Sequence, residues 1–566
     1  MDFDLILEEI GQFGRYQQTN YLLLCLPVLF GAANSLSYVF TAGIPNYRCF
    51  VPGCDDANNP NYDEPWVSAV VPGTTDSSGL FTPEQCKRYD LPSTDGNSTY
   101  ICGRELPVKN VIKCNRWVYD KYERTIVEDW SITCMENQYL LALVGTAHFA
   151  GIVTGSAAAG VLADNYGRKI IFILSTIFMA ITGIGQAISS NYTSFVFFAY
   201  LNAVGTSGVF PLAFIIGVEM VGPKKREMSG IILNYFYSVG EALVGLIFWL
   251  YPDWVILQLL VSVPPLIFIG YYWIVPESVR WLLARKDYSK ARKIIKKAAH
   301  VNGVELSEQM LRQFELESPT HSETEASKQK ELEEVDKEHE HHEVWRTFKE
   351  VLSSRVLVLR GLILFFIWAT DAFVFYGLSL NSTSLSGNKY VNFILVCLVE
   401  IPGYTLSWIA MNKIGRRWAL AGSLLLCAFT CVAGGFVPHE NTWLLVMLFL
   451  LGKLGITSAF STSYVHTAEM LPTVIRSIGV GAASTVARFG ALIAPFVPLL
   501  NNYYPTIPLP LLLFGGVSML AGLLALALPE TFGRKLPDTA EEAERIGGYD
   551  DADIADIHLS VNSPMK

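Results

Sequence analysis

Residues 160–169 read GVLADNYGRK. They follow one apolar run, Tyr139 to Gly160, and precede another, Ile170 to Ser189. Each run can cross a bilayer as a helix, because about 20 apolar residues rising 1.5 Å apiece match the hydrocarbon core. The link between them is a tight charged hairpin with an acid (Asp164), a turn glycine (Gly167) and two bases (Arg168, Lys169). Near-repeat text, NKIGRR, stands at Asn412 to Arg417, again between apolar runs. The echo extends further. Glu219 and Arg226 lie seven apart in EMVGPKKR, as do Glu469 and Arg476 in EMLPTVIR. Pro276-Glu277-Ser278 ends one half as Pro529-Glu530-Thr531 ends the other. The three offsets are 248, 250 and 253 residues. A near-constant offset predicts two similar halves, an organisation typical of secondary transporters, with the site where the halves meet.

Composition agrees. Of 566 residues, 51% are hydrophobic and only 17% charged, against roughly 25% in soluble domains. Mean hydropathy is +0.33. Apolar runs near 20 residues recur about twelve times, which defines an all-α polytopic membrane protein of two six-helix bundles. The expected spans are 20–42, 138–163, 169–189, 194–218, 228–250 and 254–275, then 356–380, 389–411, 417–437, 442–468, 477–500 and 507–529. The first span acts as an uncleaved signal after a polar N-terminal arm, 1–19. The formal charge of −10 says little about partners, because the acids sit mainly in loops and the tail.

Residues 43–137 form a long polar loop within the N-terminal bundle, 20–275. It carries Cys49, Cys54, Cys86, Cys102, Cys114 and Cys134, six of the ten cysteines. Six cysteines in one polar insert predict disulfides in an oxidising compartment, with 15 possible pairings. Reduced thiols or a zinc site are the alternatives, and the lack of a close Cys-x-x-Cys pair weighs against zinc. The loop is therefore expected outside and both termini in the cytosol. Counting crossings puts Asp164 to Lys169 and Lys224 to Arg226 in the cytosol, in keeping with the positive-inside rule. Asn97 and Asn381 head external glycosylation sequons, while Asn191 lies in a loop too close to the membrane for one.

Residues 276–355 form a cytosolic linker. Its start is basic and helical, suited to the inner membrane surface. Its middle, Ser318 to Glu343, is acidic and almost free of apolar residues, so a disordered connection is expected. His339, His341 and His342 there are more simply solvated than metal-binding. The C-terminal bundle is 356–529 and the acidic tail 530–566.

Ionisable groups deep in spans mark candidate sites, since a charge at the bilayer centre costs roughly 2.5–3.5 kcal/mol unless it meets a cavity or partner. Four stand out: Glu241, Asp371, Glu400 and Arg488. Lys453, His148 and His466 form a second group. Each also has a purely structural reading, as a pair that locks two helices. Glu241 and Asp371 are the candidates for ion coupling. Aromatics near these charges can hold an ammonium against a ring face: Tyr38, Phe210, Tyr235, Trp368, Phe375, Tyr376, Phe460 and Tyr464, with Asn234 beside them. The charged hairpins and helix ends (Asp164, Arg168, Glu219, Arg226, Arg416, Glu469, Arg476) are expected to hold one access state and release in the other. Glu219 is expected opposite Arg226, and Glu469 opposite Arg476.

With these motifs in hand, GxLADxxGRK resembles the loop motif of the major facilitator superfamily. The cysteine-rich loop, PESVRWLL at 276–283, EMLPTVIR at 469–476 and PETFGRKLPDT at 529–539 resemble its organic cation, anion and carnitine transporters, most of all the cation/carnitine branch. The resemblance covers nearly the whole chain. It implies twelve helices, alternating access and amphiphilic organic ions or zwitterions as substrates. Glu400-Ile401-Pro402, Trp368 and Thr370-Asp371 look like the cation carriers. Arg488 in STVAR looks instead like the anion and carnitine carriers, as Phe375 to Leu380 looks like the carnitine type. A site with Glu400 for an ammonium and Arg488 for a carboxylate suits a zwitterion. The expectation is thus a plasma-membrane carrier of small organic cations or zwitterions that needs no cofactor or metal and binds no nucleic acid. The external loop is a candidate surface for homo-oligomer contacts. An anion exchanger built on Arg488 and a non-transporting ligand sensor are the alternatives. An enzyme is disfavoured, since no nucleotide loop or nucleophile elbow is present.

Overall fold

A computed structural model describes residues 3–75, 81–90, 102, 110–305, 343–438, 441–500 and 508–547. Asn97, the histidines at 339, 341 and 342, almost all of the acidic linker and the end of the tail lie outside the described residues. Eleven helical segments are long and apolar enough to cross a membrane: α1 (Arg15–Thr41), α2 (Cys134–Tyr166), α3 (Arg168–Ala187), α4 (Tyr192–Met220), α5 (Pro223–Leu250), α6 (Trp254–Ile274), α7 (Arg355–Ser384), α8 (Lys389–Ile414), α9 (Arg416–Gly435), α10 (Thr442–Met470) and α11 (Thr473–Leu499). A shorter apolar helix, α12 (Leu509–Ala525), is the twelfth. All twelve expected spans are present, six on each side of the linker.

The irregularities follow from proline chemistry. Pro27 inside α1 has no amide hydrogen for the Leu23 carbonyl, and the Tyr271 hydroxyl of α6 donates to that carbonyl instead at 2.9 Å. Pro264 and Pro265 tighten the middle of α6 into a 3-10 turn. Pro402 interrupts the ladder of α8, whose helix stops at Leu398 and restarts at Glu400. That break sets the Glu400 carboxyl at a helix start, buried at 0% exposure. Beside it, Gly240 lets α5 lie directly on α1: a Cβ there would fall 2.1 Å from the Leu29 carbonyl oxygen.

The polar insert between α1 and α2 folds on three disulfides, Cys49–Cys114, Cys54–Cys102 and Cys86–Cys134, one of the fifteen arrangements the sequence left open. Among the described residues its three antiparallel strand pairs are short: β1 (Tyr47–Cys49) with β6 (Trp117–Tyr119), β2 (Gly73–Thr75) with β3 (Phe81–Pro83), and β4 (Lys87–Tyr89) with β5 (Val111–Lys113). Arg48 and Asp55 form a fully buried ion pair at 2.7 Å, and Arg48 also donates to the Tyr62 and Asn61 carbonyls. Strands this short need such crosslinks to persist.

Two expectations change. Asn381 ends the α7 helix with its side chain buried at 5% exposure, because that turn packs into the bundle. A glycan needs an open surface, so the structure removes Asn381 from the candidate acceptors. The N-terminal arm is also more than a tether. Helix Phe3–Ile10 sets Ile6, Leu7 and Ile10 against Ile295, Ala298 and Ala299 of the basic helix Tyr288–Asn302. Asn302 closes that joint, accepting from the Tyr16 amide and donating to the Ile10 carbonyl.

Candidate functional site

The break in α8 brings three buried ionisable groups together across the two halves. Lys453 of α10 pairs with Glu400 at 2.8 Å, both side chains at 0% exposure. The ammonium also donates to Ser379 Oγ at 2.8 Å and the Phe375 carbonyl at 3.1 Å, and it stands 3.2 Å from the Phe375 ring centroid. Ser238 of α5 donates to the other Glu400 oxygen at 3.0 Å. One turn on, Glu241 lies against Glu400 and near Lys453. Neither Glu241 oxygen has a hydrogen-bond partner among the described residues. The cluster thus holds two carboxyls and one ammonium. Burying charge is costly unless each group is paired, and here one acid exceeds the bases.

This corrects two expectations. Glu400 does not present an open carboxylate, because Lys453 occupies it. Phe375 is buried and faces that lysine rather than a cavity. The residue that lies nearest an open role is Glu241. Tyr38, Tyr376 and Tyr404 crowd around it from α1, α7 and α8.

Arg488 sits on α11, half-buried, with Nη1 donating to Ser484 Oγ at 2.8 Å and its carbonyl at 3.1 Å. Tyr376 and Tyr464 are its aromatic neighbours. Tyr376 lies near both Arg488 and Glu241, so the base and the buried acid share one aromatic neighbour. Trp368 backs this wall, with Tyr464 at 4.3 Å and Phe460 at 6.1 Å between ring centroids, and its indole donates to Thr467 at 2.9 Å. Phe210 packs edge-on to Tyr237 at 5.4 Å on the opposite half. Tyr235 bonds Thr405 across the halves at 2.6 Å, and Asn234 donates to its own helix at the Gly230 carbonyl. Asp371 is buried and accepts from Ser463 at 2.6 Å, which joins α7 to α10.

The charged hairpins form two matching networks. Gly167 and Gly415 take φ of +109° and +91°, values open to glycine, and so turn the chain sharply between spans. Glu277 accepts the Lys169 amide at 3.0 Å, and Glu530 accepts the Arg416 and Arg417 amides at 2.8 and 3.1 Å. Each carboxylate thereby satisfies orphan donors at a helix start and meets its positive dipole. Arg168 pairs with Glu219, and Arg416 with Glu469 at 3.0 Å. Ser278 and Thr531 donate to those glutamates at 2.5 and 2.6 Å. The expected partners seven residues on are not used. Arg226 pairs with Asp4 at 2.5 Å, and Arg476 donates to Thr473 and the Leu471 carbonyl. The reason is geometric: the turns at 221–225 and 471–475 rotate the arginines off the glutamate's face, while the hairpin arginines reach it from the neighbouring span. Asp164 offers its carbonyl to Trp281 and Arg285 and lies near Arg168.

Sequence reading missed the capping glutamates, the tyrosines Tyr237 and Tyr404, and Asp4. The Pro-Glu-Ser and Pro-Glu-Thr repeats carried the signal for the first, since a repeated acid near a hairpin is a cap in waiting.

At the disulfide-loop end the halves are packed together. Phe40 of α1 meets Phe393 at 4.9 Å and Tyr390 at 5.9 Å on α8, Thr146 of α2 donates to the Leu492 carbonyl of α11, and Glu123 pairs with Lys389 at 2.5 Å. At the hairpin end, the ion pairs described above join spans of the same half.

The fold and this network match known proteins. The sequence model for the family "Sugar (and other) transporter" matches residues 110–543. A Drosophila melanogaster organic cation transporter protein is 36% identical over 97% of this chain and 95% of its own length. Mouse organic cation/carnitine transporter 2 is 30% identical over 97% and 95%. A partially occluded, inward-open structure of the Escherichia coli xylose transporter XylE superposes with a TM-score of 0.60 at 14% identity, over 92% of this chain and all of that one. The chain belongs to the sugar (and other) transporter family of the major facilitator superfamily, among its organic cation, anion and carnitine transporters. It is a multi-pass membrane transporter of a small organic solute, not an enzyme.

Proposed function

We propose that this chain carries small organic cations or zwitterions, carnitine-like or amine-derived, across the plasma membrane by alternating access. The supporting observation is the presence of opposite charges near one aromatic residue: Tyr376 neighbours both Arg488 and Glu241, and Glu241 belongs to the acid-rich cluster with Glu400 and Lys453. A carboxylate suits the guanidinium, and an ammonium suits an acid among tyrosine faces. Relatives named for organic cations and carnitine favour the same class. The disulfides suit an oxidising compartment, which supports an external loop with both termini and the hairpins in the cytosol. The packed loop end then corresponds to a closed external gate, and rocking of the two halves exchanges it for contacts at the hairpins.

The test is uptake into expressing cells of three labelled probes: tetraethylammonium, carnitine and an aromatic carboxylate. Carnitine uptake that Arg488→Ala abolishes, with tetraethylammonium uptake kept, supports the reading. Uptake of the carboxylate alone refutes it in favour of an anion exchanger, which an acid-rich cluster at the half interface disfavours.

A further inference from the structure

The geometry points to Glu241 as a site that holds a proton or the substrate's ammonium, but not both, so that cation entry is exchanged for proton exit. This inference rests on the substrate reading above and specifies its energetics. It begins with charge. Lys453 has one formal charge and its donors are directed at Glu400, Ser379 and the Phe375 carbonyl. Glu241 lies against the same Glu400 with both oxygens lacking a donor among the described residues, at 0% exposure. Two adjoining carboxylates with one ammonium leave an excess negative charge in a dry interior, which is expensive. One proton shared between Glu241 and Glu400 restores neutrality and supplies the missing hydrogen bond between the two carboxyls.

The surroundings favour no other cation from the protein. The groups facing Glu241 are Tyr38 on α1, Tyr237 on its own span, Tyr376 on α7, and Cys397 and Tyr404 on α8. All are neutral in their ordinary form, and four of them are aromatic. Glu400 and Lys453 complete the shell. An organic ammonium placed among these rings balances the Glu241 carboxylate as the proton did. Tyr376 and Tyr237, hydrogen-bonded to each other, are half-buried, unlike Glu241 itself. The step balances: the protonated carboxyl and an incoming ammonium give the carboxylate–ammonium pair and a proton, which is released to water. Binding of either species lowers affinity for the other by the same factor, as linkage requires.

The experiment uses the purified full chain in sealed proteoliposomes containing a pH-sensitive dye, with membrane potential clamped by potassium and valinomycin. The probe is labelled tetraethylammonium. One-for-one exchange predicts about tenfold accumulation for each pH unit by which the interior is made more acid. It also predicts interior alkalinisation when the cation is added. Glu241→Gln should lose the accumulation and the dye response, while Glu241→Asp, which keeps the carboxyl, should retain both. Tetraethylammonium that enters without a dye response and only equilibrates overturns the exchange but leaves the transport reading intact. Accumulation preserved in Glu241→Gln overturns the assignment to Glu241. If neither tetraethylammonium nor carnitine enters any vesicle, the transport reading falls and takes the exchange with it.

Discussion

Lys453→Met is the sharpest test of the buried cluster. The substitution keeps the length of the side chain and removes its charge. Glu400 then has no counter-ion, and Glu241 beside it offers none. A buried carboxyl without a partner escapes by taking a proton from the medium. That costs about 1.4 kcal/mol for each pH unit between the medium and a glutamate's ordinary value near 4.3, so about 3.7 kcal/mol at pH 7. Ser379 Oγ and the Phe375 carbonyl also lose a donor, worth about 1 kcal/mol each and partly recovered by relaxation. The expected loss is about 3–5 kcal/mol, the range found when one partner of a buried pair is removed. The loss should shrink by about 1.4 kcal/mol per pH unit toward pH 5, because the proton becomes easier to acquire. Adding Glu400→Gln should restore about 2 kcal/mol or more, since Glu241 then needs only the one proton that already neutralises the cluster when Lys453 is present. Unfolding by sodium dodecyl sulfate in mixed micelles at pH 5, 6 and 7 compares the unaltered chain with the single and the double variant. A single variant that costs under about 1 kcal/mol, shows no pH dependence, or gains nothing from the second substitution refutes the pairing.

The two hairpin networks should fail alike: Glu277→Gln and Glu530→Gln each leave helix-start amides with a weaker acceptor and should each slow labelled carnitine uptake several-fold at equal surface level. Gly167→Ala combines a φ of +109° with a Cβ 2.6 Å from Glu277 Oε2 and should destabilise by about 1–3 kcal/mol, read by thermal unfolding. Removing Cys54–Cys102, which closes 48 residues, should cost about 2–4 kcal/mol and expose the loop to protease. Asp287 caps the helix Tyr288–Asn302, and the Lys290 ammonium, followed by the Lys290 amide, holds its carboxyl below the ordinary range. Its support for that helix is therefore present above the ordinary carboxylate value and lost as pH falls through the lowered one, which amide exchange of residues 288–302 from pH 5 downward will detect.

Span number, order and the two-fold repeat were legible because they depend on local properties. Runs of apolar residues and recurring turn glycines declare themselves at any point in the chain. The loop cysteines likewise announced crosslinks, but pairing them required knowing which β-strands meet. At the site, Glu241, Glu400 and Lys453 were each visible as misplaced charges. Their grouping was not, since 159 residues separate Glu241 from Glu400 and another 53 separate Glu400 from Lys453. The likeliest sequence partners, seven residues apart on either side of a turn, were the wrong ones, because the turn rotates the arginine away.

The sequence by itself determined that this is a two-fold helical membrane protein, which acids and bases lie at bilayer depth, and which family its motifs resemble. Hydrophobic length and the cost of charge in lipid act residue by residue, so they can be read without a structure. Tertiary structure alone decided that Lys453 closes Glu400, that Tyr376 neighbours both Arg488 and Glu241, and that the capping glutamates hold the hairpins. Those outcomes depend on helix rotation and on the break at Pro402. A few degrees of either choose which of several nearby charges meet.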